Sequence, residues 1–420
     1  MNLAHGGAIN NDSGVLRVSG CSIIGNQAKG LGRGYVDTGP ALNGSSAAGG
    51  GMYISGGEVY LVRTLLGSNC VEGGDGGSGE MGHLAGSGGD ALGAAICLSG
   101  GSLTITNCAV VGNYAIAGSA PVASRYIGYP GTGYGGGLYA QAGSLIACNS
   151  TLSDNSAFAG VTGGGGFGGG PSTGGYSFGG ALAIANATGI LANCTITQNG
   201  AFGGTNVTRP GSGFGGGIAI TYYGTGTVSL VNTILAGNLV GGTNFLLSDV
   251  YGIPQSLGHN LVGITSNAAS FVSSDIIGQD PKLGPLQYNG GATPTHALLV
   301  GSPAIDAGAP ASTPFDQRDQ PRTIDDPGVV NRNGSDGTDI GAVEANPFLA
   351  LQSITMASDS VLVSFPTMSS KSYGLLYKSG LEYTQWLNVA GLQPGTGGII
   401  TATNTGPATT NTGFYRVYAR

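Results

Sequence analysis

Short aliphatic segments recur along the first part of the chain, and apolar and polar residues alternate within each of them. Leu103 and Ile105, for example, lie on either side of Thr104. A period of two is typical of a β-strand that buries one face. The same alternation occurs at Leu16/Val18, Val59/Leu61, Leu145/Ala147 and Val228/Leu230.

Two further signals frame each of these predicted strands. A glycine pair followed by small or aliphatic residues precedes the strand, at Gly6, Gly50, Gly136, Gly179 and Gly216, with a weaker copy at Gly93. After the strand comes an asparagine, and the residue three positions before that asparagine is aliphatic. These asparagines are spaced by 39 to 44 residues: Asn26, Asn69, Asn113, Asn155, Asn199 and Asn238. Such regular spacing predicts a solenoid over residues 1–245, in which each repeat buries its apolar face against its neighbours.

A second asparagine column follows the predicted strand directly, at Asn107, Asn149, Asn193 and Asn232. Asparagine tolerates the left-handed backbone region, and amides at equal positions of stacked strands can bond to one another. We therefore predict a bend at each of these residues and two asparagine ladders along the stack. The sequence leaves open whether a repeat makes one coil or two.

Glycine-rich stretches separate the repeats. Glycine makes up 84 of the 420 residues and charged residues only 8%, yet the chain is 40% hydrophobic, which is unlike a disordered chain. We predict stacked glycine-rich loops on one flank, with their aromatic residues covering the solenoid. The alternative is an aromatic-lined surface for sugar rings or another protomer. The aromatic residues are Tyr126, Tyr129, Tyr134, Phe158, Phe167, Tyr176, Phe178, Phe202 and Phe214.

The charge pattern argues against a nucleic acid partner, and the hydropathy pattern argues against a membrane span. The net charge is −7, and 14 lysines and arginines spread along the chain leave no basic stripe for phosphates. No run of about 20 apolar residues predicts a membrane span. The residues after Met1 lack the basic and apolar regions of a signal peptide, so for an exported protein we expect the signal to be removed or to lie upstream.

Groups that could carry catalysis are sparse in the repeats. Polysaccharide-cleaving enzymes use clustered carboxylates, whereas the acids of the repeats share no repeat position: Asp12, Asp37, Glu58, Glu72, Asp75, Glu80, Asp90 and Asp154. The histidines are dispersed, at His5, His83, His259 and His296, and no nucleophile motif is present. We therefore expect a non-enzymatic protein, with a carbohydrate-active enzyme, a polysaccharide lyase or hydrolase, as the alternative.

The six cysteines show no metal-binding or disulfide pattern. Cys21, Cys108 and Cys194 share one repeat position, which is Ser or Thr in the other copies. Equivalent thiols would lie about two strand spacings apart, beyond the reach of a disulfide. We expect free thiols.

The composition changes after Val250, where prolines replace the glycine-rich stretches. We predict that residues 246–346 end the solenoid and cap it, with Asp–Arg pairs inside the cap. The alternative is a calcium site, since hard cations prefer oxygen ligands; its candidate ligands are Asn331, Asn333, Asp336 and Asp339. The charged residues of this segment include Asp306, Asp316, Asp319, Asp325, Asp326 and Glu344, with Arg318, Arg322 and Arg332.

This segment also carries a series of motifs: DPKLGPL at 280–286, NGGATPTH at 289–296, GSPAIDAG at 301–308, DQR at 316–318 and DIGAVE at 339–344. They resemble the choice-of-anchor Q domain of bacterial surface proteins, although Asp319 stands where that family usually has glycine. The upstream repeats are similar to those of polymorphic outer membrane proteins. These resemblances imply an extracellular or surface-bound right-handed parallel β-helix, and they imply no catalytic residue.

Residues 347–420 predict a separate small β-sandwich. Alternating segments at 361–365, 373–377, 399–403 and 414–418 are separated by Gly, Pro, Ser and Thr. Together with Leu381 and Trp386 they resemble terminal β-domains of secreted verrucomicrobial and planctomycete proteins, which implies sorting, attachment or glycan contact. We expect Trp386 in the core of the sandwich; the alternative is a platform for stacking sugars.

The sequence thus predicts an all-β protein, a right-handed parallel β-helix with a C-terminal antiparallel β-sandwich. The expected function is that of an extracellular structural or adhesive protein of a bacterial surface, matrix or fibre. The expected partners are glycans or further copies of the chain. Since no cap is visible before the first repeat, we expect its strand edges to permit head-to-tail association.

Overall fold

The structure is a computed structural model that describes residues 3–37, 39–78, 85–121, 128–162, 173–206, 209–220, 224–241, 245–264, 270–310, 313–326, 328–346, 351, 353–357, 360–367, 369, 371–380, 385–405 and 413–419. The prediction of an all-β protein is confirmed, because these residues form strands, turns and irregular segments with no α-helix among them. The chain divides into two compact units, residues 1–325 with 331–344 and residues 326–330 with 345–420.

The first unit is a stack of repeats in which equivalent strands pair in parallel. Each repeat enters four sheets in turn, which we call sheets A, B, C and D. The register is the same in all four, since the partners in the first two repeats are always 43 residues apart: Ala4 and Ala47, Ile9 and Met52, Val15 and Glu58, Ser22 and Leu65, Gln27 and Cys70. One repeat therefore makes one complete level of the stack.

The strands of the four sheets recur in chain order. Sheet A contains Ala4–His5, Ala47–Ala48, Ala91–Leu92, Gly133–Tyr134, Ser177–Phe178 and Gly213–Phe214. Sheet B contains Ile9–Asn11, Val15–Ser19, Met52–Ile54, Glu58–Val62, Ile96–Leu98, Ser102–Thr106, Leu138–Cys148, Leu182–Ala192, Ile218–Ile220, Thr227–Val231, Val250–Tyr251 and Gln255–Ser256. Sheet C contains Ser22–Ile24, Leu65–Gly67, Ala109–Val111, Thr151–Ser153, Thr195–Thr197, Ile234–Leu235, Leu261–Val262 and Ile276–Ile277. Sheet D contains Gln27–Lys29, Cys70–Glu72, Tyr114–Ile116, Ser156–Phe158, Gly200–Phe202, Leu239–Gly241 and the antiparallel Phe245–Leu247.

The alternating residues of the predicted strands point into the stack. Leu103 and Ile105 are buried, whereas Thr104 between them is half-buried. The buried side chains of successive repeats form one continuous apolar cluster. The predicted period of two is therefore confirmed, and its physical basis is burial of every second side chain against the neighbouring repeats.

The glycine pairs lie in the turns between sheets A and B. Gly49 has a φ of 61°, in the left-handed region that other residues avoid. At Gly50 the requirement is space, since an added Cβ would lie 2.1 Å from the carbonyl oxygen of Cys70. Glycine recurs here because the turn must be both left-handed and closely packed.

Where the structure describes them, the glycine-rich stretches stack in a regular arrangement, as predicted, and each has two extended limbs. The outgoing limbs (residues 30–36, 73–78, 117–121, 159–162 and 203–206) leave sheet D, and the return limbs (residues 40–46, 85–90, 128–132, 173–176 and 209–212) lead back to sheet A. Main-chain hydrogen bonds join an outgoing limb to the return limbs of its own and the preceding repeat. Gly74 donates to Ser45 O (2.9 Å) and accepts from Gly89 N–H (2.8 Å).

These hydrogen bonds recur at every third residue. Gly73 donates to Ile116, the last residue of the next strand of sheet D, and Gly76 donates to Ser119 of the next outgoing limb, both at 2.9 Å. Gly74 and Gly77 donate across to the return limb of the preceding repeat. A period of three is that of the polyproline II helix, which makes no internal hydrogen bonds and can therefore bond to its neighbours. The limbs thus form a bundle of such helices beside the sheets.

Side chains complete the hydrogen bonding of this bundle. Several limb N–H groups that do not bond to another main chain donate to a side-chain oxygen of the preceding repeat. Asp75 Oδ1 accepts from Ser119 N–H (2.7 Å), and Asp90 Oδ1 accepts from Thr132 N–H (2.7 Å). The extended backbone is in this way satisfied without β-pairing.

The second unit contains two three-stranded antiparallel sheets. One consists of Ser353–Ala357, Ser360–Pro366 and Ile399–Thr405, and the other of Ser372–Lys378, Leu387–Pro394 and Phe414–Ala419. Both sheets contribute to a single buried cluster that includes Phe365, Tyr373 and Leu375. This cluster is the core of the unit.

Candidate functional site

The first asparagine column forms a continuous ladder inside the stack. The main-chain N–H and the side-chain Nδ2 of each asparagine both donate to Oδ1 of the asparagine in the next repeat, at 2.8–3.2 Å. All of these residues except Asn26 are completely buried. Asparagine suits the position because it supplies both an acceptor and a donor, which a buried turn requires. The members are Asn26, Asn69, Asn113, Asn155, Asn199 and Asn238.

A second interior ladder uses the position shared by cysteine, serine and threonine. The N–H of Thr64 donates to Sγ of Cys108 (3.4 Å), and the N–H of Cys108 donates to Oγ of Ser150 (3.1 Å). The N–H of Cys194 donates to Oγ1 of Thr233 (3.3 Å). Small side chains that accept a hydrogen bond are interchangeable here, which explains the alternation of residue types in the sequence.

Both ladders end on a buried aspartate. The second ladder reaches it through Asn260, whose Oδ1 accepts from Thr233 N–H (3.0 Å). Asp249 Oδ1 accepts from the main chain and the amide of Asn238, both at 2.8 Å, and Oδ2 accepts from Ile264 N–H. Asp275 accepts in the same way from Asn260 (2.8 and 3.1 Å). A carboxylate has no donor of its own, so it satisfies the last donors without requiring another repeat beyond it. Burial raises the pKa of Asp249, and the bonds from Ile264 and Asn238 act against that rise.

Much of the predicted end segment contacts the repeats. Residues 280–344, which we call the side segment, begin with the hairpin Leu283–Gln287 and Thr295–Leu298. They contact turns and strands of successive repeats from Arg63 to Asn232. The segment therefore runs along several repeats, and it also packs on Ile234, Leu261 and Ile276 of sheet C, whose last strand is Ile276–Ile277. Its role as a cap stays a prediction.

The second asparagine column holds this side segment. Asn107, Asn149, Asn193 and Asn232 have φ values of 45–55°, as expected for bends in the left-handed region. Their amides do not bond to one another, which corrects the expected second ladder. They bond instead to the side segment, which covers them: Asn149 Nδ2 donates to Phe315 O (3.0 Å), and Asn232 Nδ2 donates to Ala309 O (2.9 Å).

Asp319 connects the side segment to two repeats. Its carboxylate forms a bidentate pair with Arg63 (2.6 and 2.7 Å) and accepts from Asn107 Nδ2 (3.0 Å). The Arg63 partner lowers the pKa of Asp319. The φ of Asp319 is 61°, so the departure from glycine keeps a left-handed turn and adds an ion pair. Sequence reasoning treated Asp319 only as a local departure.

The acidic residues of the side segment pair with arginine and the main chain. Arg318 contacts Asp316 at 2.6 Å, and Arg322 lies 3.8 Å from Glu344. Glu344 accepts from Ile324 N–H (2.8 Å) and Asp339 N–H (3.0 Å). Asp316, Asp339 and Glu344 are completely buried, so their oxygens face donors of the protein and not a cleft.

Glu344 gives the first unit a predicted pH dependence. Burial raises its pKa from 4.5 to about 7. Between those values the folded protein holds a proton that the unfolded chain has released, so the free energy of unfolding falls as the pH rises. We expect denaturation midpoints to fall across this interval, and Glu344→Gln to flatten the dependence although it lowers stability at every pH. Glu58→Gln, at an exposed carboxylate, should retain the wild-type slope; an unchanged slope in Glu344→Gln would contradict the assignment.

The aromatic residues form closed stacks. Tyr134, Phe178 and Phe214 follow one another in sheet A, with ring centroids 5.5 and 5.0 Å apart. Tyr139 covers the free side of Tyr134 (5.1 Å), and Tyr251 contacts Phe214 (4.8 Å). Ring faces in this stack are thus occupied by other rings, which favours the covering role over sugar stacking. Phe158 and Phe202 also stack, Tyr129 and Tyr176 are exposed, and Tyr126 and Phe167 lie outside the described residues.

The six cysteines are free thiols, as expected. Burial raises the pKa of Cys97 and of Cys194 to about 12, whereas Cys21 is exposed. Because the thiolate is the reactive form, a thiol reagent should modify Cys21 rapidly in the native protein and the buried thiols only on unfolding. A colorimetric thiol titration measures this, and Cys21→Ser should abolish the rapid phase. Rapid native modification of Cys194 would contradict the buried ladder.

The calcium candidates differ in their exposure. Asp339 is buried and accepts from Asp306 N–H (2.8 Å), whereas Asn331, Asn333 and Asp336 are exposed. Within the described part of the chain, no group of three or more His, Cys, Asp or Glu side chains is placed to hold a metal ion. Calcium binding stays a prediction.

The remaining candidates are dispersed. Trp386 lies outside the core cluster of the second unit and is half-buried, with the Lys378 ammonium 4.9 Å from the centre of its ring. His296 is buried and bonds to Ser153 Oγ (3.0 Å) and Gly284 O (2.7 Å), and His259 bonds to Ala307 O. Glu80, His83 and Leu381 lie outside the described residues.

Comparisons with known proteins add no assignment. No protein-family model matches the chain, and no curated protein matches its sequence. None of the described segments forms a helix with the length and apolar character that crossing a membrane requires.

Proposed function

We propose that this chain is an extracellular structural or adhesive protein of a bacterial surface, built as a right-handed parallel β-helix with a C-terminal β-sandwich. The observation that carries the proposal is the continuity of the interior asparagine ladder. The residues that recur most regularly are those that join one repeat to the next. A scaffold needs this use of its recurring positions, because its role is to hold the repeats together.

The side segment supports the same role. It binds turns from Arg63 to Asn232 and therefore fastens several repeats together along one side. If the side segment is related to choice-of-anchor Q domains, as we propose, its contacts with the repeats would link the stack to the part of the protein that is tethered to the cell. Glycans are the proposed external partners, and the half-buried Trp386 and the exposed Tyr129 are among the aromatic side chains accessible to them.

Polysaccharide cleavage is the competing proposal. A retaining or inverting glycosidase needs two carboxyl groups that face the substrate. The carboxylates that cluster, Asp316, Asp339 and Glu344, are buried and accept main-chain hydrogen bonds. This arrangement favours the structural proposal over the enzymatic one.

Head-to-tail association is a less supported version of the structural proposal. Sheet D ends on the antiparallel strand Phe245–Leu247, and both interior ladders end on aspartates without donors. A second copy could not simply continue these ladders. Electron microscopy of the purified chain over a concentration series tests it: single particles are expected, and regular fibres would restore the assembly version.

Immunogold labelling of intact cells of the source organism tests the location. We expect label outside intact cells; label that appears only after permeabilisation would contradict an extracellular role.

A parallel assay incubates the full chain with a panel of polysaccharides and measures both sedimentation with insoluble polymers and release of reducing ends. Release of reducing ends would overturn the structural proposal. Binding that is reduced by Trp386→Ala but not by Tyr129→Ala would identify Trp386 as the glycan contact.

A further inference from the structure

Arg322 is the most deeply buried cation of the side segment, and its guanidinium is only partly satisfied. Its Nη2 donates to Asn149 Oδ1 (3.1 Å) and Gly341 O (2.9 Å). Nε and Nη1 have no hydrogen-bond partner among the described residues. Glu344 Oε2 is 3.8 Å from Nη1, which is too far for a direct hydrogen bond.

A buried acceptor, the side-chain oxygen of Asn193, is linked to Arg322 through neighbouring side chains. Asn193 Oδ1 also has no partner within the described part of the chain, while its Nδ2 lies 3.4 Å from Thr313 Oγ1. Asn149, the partner of Arg322, contacts the same hydroxyl at 3.3 Å. The interface between the turns and the side segment thus contains unpaired donors and an unpaired acceptor that are linked through Asn149 and Thr313.

We propose that ordered water molecules occupy this interface, bound by Arg322 Nε and Nη1 and bridging to Glu344 and Asn193. The chemistry selects water over an ion. A carboxylate and an amide oxygen would repel an anion, and a guanidinium would repel a cation. A water molecule accepts from the guanidinium and donates to the oxygens, so it satisfies both kinds of group at once.

Bound water would help to hold the side segment against the repeats. Its central contact with the repeats would be a hydrated polar network, in contrast to the apolar contact around Ile234 and Ile276. Unpaired polar groups in a buried interface are costly, and bridging water removes that cost.

A high-resolution crystal structure of the full chain tests the proposal directly. We expect at least one water molecule about 2.7–3.2 Å from Nε or Nη1 of Arg322, with a second bond to Asn193 Oδ1 or Glu344 Oε2. Density without such a water, or a direct hydrogen bond between Nη1 and Glu344, would overturn it.

A solution measurement provides the second test, with a control within the chain. In a water-selective NMR experiment on the full chain, the Nε–H proton of Arg322 should show a cross-peak to a long-lived water, and Arg322→Lys should remove it. Arg318 is the matched control, because its Nε already donates to Asp316 Oδ2 (2.9 Å), and it should show no such cross-peak. Absence of the cross-peak at an assigned Arg322 would overturn the proposal.

Discussion

Replacing Asn155 by leucine should destabilise the first unit by about 3–5 kcal/mol, since it leaves two buried donors without an acceptor at about 1–3 kcal/mol each. These donors are the main-chain N–H and the Nδ2 of Asn113, which now bond to Asn155 Oδ1 (3.2 and 2.8 Å). Leucine has a similar size, so the loss reports the hydrogen bonds more than the packing. Denaturant unfolding of the full chain measures the change.

The matched control for this change is Asn10→Leu. Asn10 is exposed and its amide contacts only the Asp12 side chain, at 3.3 Å. A surface change of this kind is expected to stay within about 0.5 kcal/mol. Equal effects of the two substitutions would mean that the interior ladder contributes nothing particular to stability.

Gly118→Ala should disrupt the limb bundle and cost about 3 kcal/mol, at the upper end for overpacking a close-packed site. The new Cβ would lie 2.1 Å from the carbonyl oxygen of Gly74, and the backbone around it is held by hydrogen bonds to Gly89 and Gly131. Since neighbouring limbs bond to one another, the disturbance should spread to the adjacent repeats. Denaturant unfolding gives its size, and amide exchange of the neighbouring glycines gives its extent.

Gly34→Ala is the control for the limb substitution. Gly34 belongs to an outgoing limb, and an added Cβ would meet no atom within 4 Å. Neither Gly34 nor Gly118 has a left-handed φ, so both substitutions leave the backbone unstrained in itself. Similar losses in the two variants would contradict close packing as the reason for glycine.

The features that the sequence predicted well are those that repeat locally. Leu103 and Ile105 are read from a period of two, and Asn113 from its spacing, because each depends on neighbours one repeat away. The left-handed bend at Asn149 follows from the residue type alone. Such signals need no knowledge of distant contacts.

The features that the sequence analysis missed depend on contacts between residues that are far apart in the sequence. Asp319 meets Arg63 across 256 residues, and nothing in either local sequence indicates that pairing. For the same reason the contacts of the side segment with the repeats were not predicted. Asp249 could have been recognised as the end of a ladder only after its predecessor Asn238 was known to need an acceptor.

The limb bundle was within reach of the sequence. Gly73-Gly74-Asp75-Gly76-Gly77-Ser78 reads as two triplets, each with two glycines and one larger polar residue. That period of three matches a polyproline II helix with two packed faces and one outward face. The prediction went only as far as ordered, stacked loops because the other limbs keep the triplet less strictly.

Native-state hydrogen exchange of the glycine limbs tests the central claim, that every recurring element of the first unit serves to join its repeats. The amides of Gly74, Gly89, Gly118, Gly131, Gly160 and Gly175 each donate to a carbonyl of the opposite limb, although none lies in a β-strand. The account predicts that they exchange as slowly as the amides of sheet B, such as Leu103. Exchange at the rate of an open loop would contradict the bundle and leave the glycine-rich stretches as ordinary surface loops.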